Sequence, residues 1–245
     1  MSEPASGISE KTLIRVQAVS GLFFATFLVL HLFNTLLAPA GQEAYDSFQR
    51  AARHYYQMPV MEAGIILAVT VHIFAGVTRA LRRRKRIKES GGGEAAPSLR
   101  MRLHRVSGYI LLLAIYGHIL ATRAGDWFFG MPADFSFLTF SLTYWPAFMY
   151  PYYTLLFACG AYHLAHGLVM ALRVVGAKLP SEWTAPRYKA FWTLAALSAL
   201  AGFGSVLALG GNLFAVDTGR YPEFIAFWDK AYENFDFLRP WANSP

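Results

Sequence analysis

Polar and charged positions in this chain are confined to short intervals between long apolar runs. Five runs reach the roughly 20 residues that a helix needs to cross a bilayer. They lie at about 13–38, 58–81, 104–123, 150–174 and 189–212. The only carboxylate inside them is Glu62, near the start of the second. Backbone in lipid must satisfy its own hydrogen bonds, so each run is predicted as a helix. The expectation is an all-α membrane protein, residues 1–245 forming a single membrane domain built as a bundle of five transmembrane helices.

The intervals carry their own signals. Ser9 and Glu10 precede the first helix and Pro39 can end it. The connection 40–57 is polar, with Tyr45, Phe48, Tyr55 and Tyr56 as interfacial anchors. Segment 89–97, holding Gly91, Gly92 and Gly93, reads as a flexible linker. Connection 124–149 is dense in aromatics and broken by Pro132 and Pro146, and is expected at the outer interface or folded over the bundle. Residues 213–245 form an aromatic tail.

Charge sets an orientation. Sixteen of the 22 Lys and Arg residues fall on the side of the N-terminus, which places that side in the cytoplasm and the C-terminus outside. The net charge of +7 reflects this asymmetry. The basic run from Arg82 to Lys88 directly follows a membrane helix, which points to anionic lipid or an acidic partner and not to nucleic acid. The N-terminus lacks the basic region of a secretory signal, so the first helix is expected to be retained. With Cys159 as the only cysteine, a disulfide framework, a Cys-x-x-Cys-His haem attachment and cluster thiolates are excluded.

The chemistry lies in a repeat. Ser20-Gly21 is followed ten residues after the glycine by His31, and Ser107-Gly108 by His118 at the same spacing. One apolar run later in each case comes a histidine with glycine at its fourth following position, His72 with Gly76 and His163 with Gly167. At about 1.5 Å per residue, His31 and His118 lie toward the external side and His72 and His163 toward the cytoplasmic side. The pairing that follows is His31 with His118 on an outer iron and His72 with His163 on an inner iron, as axial ligands of two b haems. Polar groups at membrane depth are costly and usually functional. Two imidazoles leave iron no open position, which suits electron transfer.

Other positions share these faces. Ser20 and Ser107 fall about three turns before their ligands, near the inner haem, and Gln17 and His104 a turn further. All four are candidate haem or quinone contacts. Gly76 and Gly167 are expected to admit a flat macrocycle. His166 matches the depth of His72 and is the alternative inner ligand to His163. Glu43, His54 and Glu62 are candidates for proton exchange on the outside.

In the order and spacing of Gln17 to Gly21, His31, Val71-His72, Arg105 to Gly108, His118 and Tyr162-His163-Leu164, the chain resembles the five-helix, dihaem cytochrome b anchors of bacterial succinate dehydrogenases and fumarate reductases. The likeness extends from Arg15 to Gly210. It implies a subunit of the bacterial cytoplasmic membrane that docks a flavoprotein and an iron-sulfur subunit on its cytoplasmic face. That subunit would pass electrons between them and membrane quinone, with dicarboxylate chemistry left to the partners. The long connection 124–149 and the tail exceed the family pattern. Other readings are a cytochrome b of another quinone-linked dehydrogenase or a hydrogenase, a cytochrome with His104 and His118 as ligands on one helix, and a haemless anchor or proton relay.

Overall fold

The computed structural model describes residues 8–92, 96–185 and 187–234, so parts of the linker and tail lie outside the described residues. Among the described residues there is no strand. Five helices are long and apolar enough to cross a membrane, making this a multi-pass membrane protein. They are α1 (Glu10–Leu36), α3 (Pro59–Glu89), α4 (Leu99–Phe129), α6 (Pro146–Val174) and α7 (Lys189–Leu209). Three shorter helices, α2 (Gln42–Tyr56), α5 (Phe135–Tyr144) and α8 (Tyr221–Asn234), gather at one end.

Local sequence explains the ends. Ser9 Oγ accepts the Thr12 N–H at 3.1 Å and starts α1, while Ser98 does the same for Met101 at 3.3 Å in α4. Pro59 and Pro146 occupy first-turn positions, where a missing N–H costs nothing. Both α3 and α4 outrun their apolar cores. α3 continues to Glu89, beyond the 81 at which the apolar run stops, because Arg82 to Lys88 are strong helix formers. Hydropathy marks where a helix leaves lipid, and this helix continues past that point.

α6 is the hub, packing against α1, α4 and α7, and α1 packs in turn on α3. The approach of α7 uses glycines where a side chain has no room. Gly202 lies directly against the Phe157 ring and Gly210 against Tyr150. α3 and α4 touch by long side chains, such as Tyr116 Oη donating to Thr70 Oγ1 at 3.1 Å. The interior between them stays open.

Most of the polar connection 40–57 is the helix α2. Its Tyr45 is buried against Phe135, with ring centroids 5.6 Å apart, instead of anchoring at an interface. Connection 124–149 folds over the end of the bundle as α5, capped by Asp134 accepting the Phe137 N–H at 3.0 Å. The tail contributes α8, whose Phe224 is fully buried with Phe137 and Phe140. These aromatics need one another to leave water, which the chain order conceals. Asp46 holds the cap, accepting the buried Phe135 N–H at 2.9 Å; burial pushes its carboxyl up, and that bond opposes the rise. Asp46→Ala leaves a buried N–H unpaired and is expected to cost about 1–3 kcal/mol, read as a lowered melting temperature of the solubilised chain, with Asp46→Asn milder.

Candidate functional site

The open interior is one cavity of about 760 Å³, bounded by α1, α3, α4 and α6 and reached by side chains of the α2–α5 cap. His31, His72, His104, His118 and His163 all line it. His31 of α1 faces His118 of α4 with ring centroids 5.9 Å apart. His72 of α3 faces His163 of α6 at 6.2 Å. A metal–imidazole bond of about 2 Å on each side, with each nitrogen about 1 Å from its ring centre, separates two axial rings by about 6 Å. Both separations match that spacing, with the ring planes at 66° and 85° to each other. The arrangement is one of facing pairs, and among the described residues no group of three or more His, Cys, Asp or Glu could hold a metal.

The other ring nitrogen is engaged where the pairs require it. His72 Nδ1 donates to the Gln17 carbonyl at 2.9 Å, and His163 Nδ1 to the His104 carbonyl at 3.2 Å, with Ser107 Oγ at 3.3 Å. His118 Nδ1 lies 3.4 Å from Tyr152 Oη. Metal-bound histidines are held in this way, the second nitrogen fixing the tautomer and leaving Nε2 for the metal. His31 stacks instead on Phe27, 5.4 Å between centroids.

The repeat has a structural meaning. His72 packs on Gly21, where a Cβ would stand 2.8 Å from its Nδ1, and His163 packs on Gly108, where a Cβ would stand 3.0 Å from its Cε1. Each glycine therefore receives the inner histidine of the neighbouring helix. The histidine ten residues on, about 15 Å along the axis, forms the outer pair. Gly76 and Gly167 line the cavity too. A Cβ at Gly76 would meet Gln17 Nε2 at 2.9 Å and one at Gly167 would meet His104 Cε1 at 3.3 Å. These glycines make room for the side chains of Gln17 and His104 on the cavity wall.

Gln17 and His104 thus occupy equivalent places beside the inner pair, and Ser107 touches His163. Ser20 and Ser107 both donate to their own helices, Ser20 to the Val16 and Gln17 carbonyls at 2.6 and 3.3 Å and Ser107 to the His104 carbonyl at 3.0 Å, and they differ in that Ser107 also contacts His163. His104 stacks on His163 at 4.1 Å and lies 4.6 Å from the His166 ring, both on α6. His166 is buried and does not line the cavity. Its Nδ1 accepts from Arg100 Nε at 2.9 Å, and that guanidinium lies 3.6 Å above the Phe191 ring and donates to the Trp183 carbonyl at 2.6 Å. His166 belongs to a clamp that ties the α6–α7 connection to α4.

Charged groups close both ends. At the basic end Arg79 donates to Gln17 Oε1 at 2.6 Å and Glu10 Oε1 at 2.9 Å. At the capped end Arg123 holds Glu62 through two hydrogen bonds, 2.6 and 3.1 Å, and also pairs with Asp126. Tyr56 lines this end, its phenol pushed up by burial. Glu43 instead accepts from Ser47 on the exposed surface, and His54 packs on Tyr55 away from the cavity. Tyr152 and Arg79 were not singled out from the sequence. Tyr152 had a signal, since it precedes His163 by eleven residues, the interval between Ser20 and His31. Comparison with protein-family models, curated proteins and solved structures gives no match.

Proposed function

We propose that the chain is a dihaem membrane cytochrome b, with His31 and His118 holding one b haem and His72 and His163 the other. The observation that carries this reading is the two facing imidazole pairs, 5.9 and 6.2 Å apart, on the wall of one cavity. Each haem, when bound, supplies one-electron transfer with no open coordination position. The Gln17 and His104 carbonyls hold the inner imidazoles in the tautomer that presents Nε2. Gly21 and Gly108 set their depth. Apolar walls exclude water, and Arg79 offers a cation to acidic substituents at the basic end.

Within that class, the reading supported by the motif order is the single-subunit anchor of a succinate dehydrogenase or fumarate reductase complex. The basic end would face the cytoplasm, in a bacterial inner membrane, and receive the iron-sulfur and flavoprotein subunits. Quinone would be handled at the capped end, where Glu62, Arg123 and Tyr56 bring acid–base groups to the cavity. A reduced-minus-oxidised spectrum of the purified chain is expected to show b-type bands, with pyridine haemochrome near two per chain. Absence of these bands overturns the first step. Copurification with a flavoprotein giving succinate-dependent quinone reduction supports the second, and a hydrogenase or formate dehydrogenase partner replaces it.

A further inference from the structure

Beside the central cavity, a second cleft of about 490 Å³ lies between α3 and α4 at the basic end. Val77, Ala80, Leu81 and Ile87 wall it from α3, and Tyr109 and Leu112 from α4. Arg83 and Arg84 complete the lining, and no Asp or Glu contributes to it. Val77, Ala80, Arg84 and Ile87 recur at helical spacing, so a guanidinium shares one face of α3 with apolar side chains. Leu81 is 61% and Tyr109 51% exposed, and in a spanning bundle such apolar rims meet lipid. From Val77 to Leu81, where α3 leaves lipid, the apolar wall extends about 6 Å, and Arg83, Arg84 and Ile87 carry it on to headgroup level.

We infer that this cleft binds one anionic phospholipid, its acyl chain against Val77, Ala80 and Leu112 and its phosphate at Arg83 and Arg84. Charge complementarity selects the headgroup, as in basic pockets between membrane helices generally. A quinone is a poorer occupant here, because the groups suited to proton exchange, Glu62, Arg123 and Tyr56, line the opposite end of the central cavity. Val77, Ala80, Arg83, Tyr109 and Leu112 line both spaces, whereas Arg84 lines the lateral cleft. The bound chain therefore seals the side of the central cavity where α3 and α4 do not close. The inference rests on the cleft and the bilayer, and not on the haem reading.

The test is native mass spectrometry of the full chain, equilibrated with phosphatidylglycerol or with phosphatidylcholine of identical acyl chains. One phosphatidylglycerol is expected to be retained and phosphatidylcholine lost. Arg84→Gln, at an exposed position, is expected to weaken retention about five-fold, with Arg83→Gln adding a similar factor. Ala80→Trp fills the apolar part and is expected to abolish retention with both charges in place. Equal retention of the two lipids, no change in Arg83→Gln/Arg84→Gln, or full displacement by inorganic phosphate overturns the inference. So does a photoreactive quinone that labels Tyr109 without competition from phosphatidylglycerol.

Discussion

Alanine at His163 is expected to reduce the haem content of the purified chain from two to one, whereas alanine at His166 leaves two. The expectation follows from where each ring points. His163 lines the cavity opposite His72, and its Nδ1 is held by the His104 carbonyl at 3.2 Å. Removing that ring leaves an inner iron with one protein ligand. His166 is buried outside the cavity, with Arg100 donating to its Nδ1 at 2.9 Å. Its loss leaves part of a buried guanidinium unpaired, a cost of about 1–3 kcal/mol or more, which appears as a lower melting temperature at unchanged haem content. The measurements are pyridine haemochrome and the low-temperature α-band. Loss of a haem in His166→Ala with retention in His163→Ala would overturn the ligand assignment.

Valine at Gly21 or Gly108 is expected to expel the inner haem and leave the outer one. At both positions a Cβ intrudes on an inner histidine, at 2.8 Å from His72 Nδ1 and 3.0 Å from His163 Cε1. The ring cannot retreat freely, because its Nδ1 is tied to the Gln17 or His104 carbonyl of the very helix that carries the glycine. Overpacking of this kind costs about 1–3 kcal/mol, enough to lower inner-site affinity by roughly 5- to 150-fold. The control is Gly117→Ala on α4, where, beyond its own stretch of helix, no described atom lies within 4 Å of the added Cβ; it should retain both haems. Equal loss of both haems in Gly21→Val and Gly108→Val would mean that the glycines support the whole bundle and not the inner pair.

Much of the candidate site was legible because helices have a fixed rise and a fixed angular step. Ten residues after Gly21 or Gly108 is a definite depth, so His31 and His118 could be matched with each other, and His72 with His163, before any contact was seen. The choice between His163 and His166 was not legible. Three residues apart on α6, they differ by less than a turn in depth, and the repeat and the depth favoured different rings. Arg100 separates them, reaching from α4 to claim His166. The neighbours of Gly76 and Gly167 were hidden for a related reason: the side chains that meet them, Gln17 and His104, come from other helices.

The apolar runs alone were sufficient for the class of fold, since a segment of about 20 residues without charge has few stable places outside a bilayer. The repeated spacings were sufficient to group the four histidines, because helical periodicity is a property of the local chain. Tertiary structure decided the rest. It brought segments 40–57, 124–149 and 213–234 together as a cap, burying aromatics of α2, α5 and α8 that no single segment could bury alone. It also left α3 and α4 apart, opening both the central cavity and the lateral cleft, because the space between two helices depends on side chains from every helix around them.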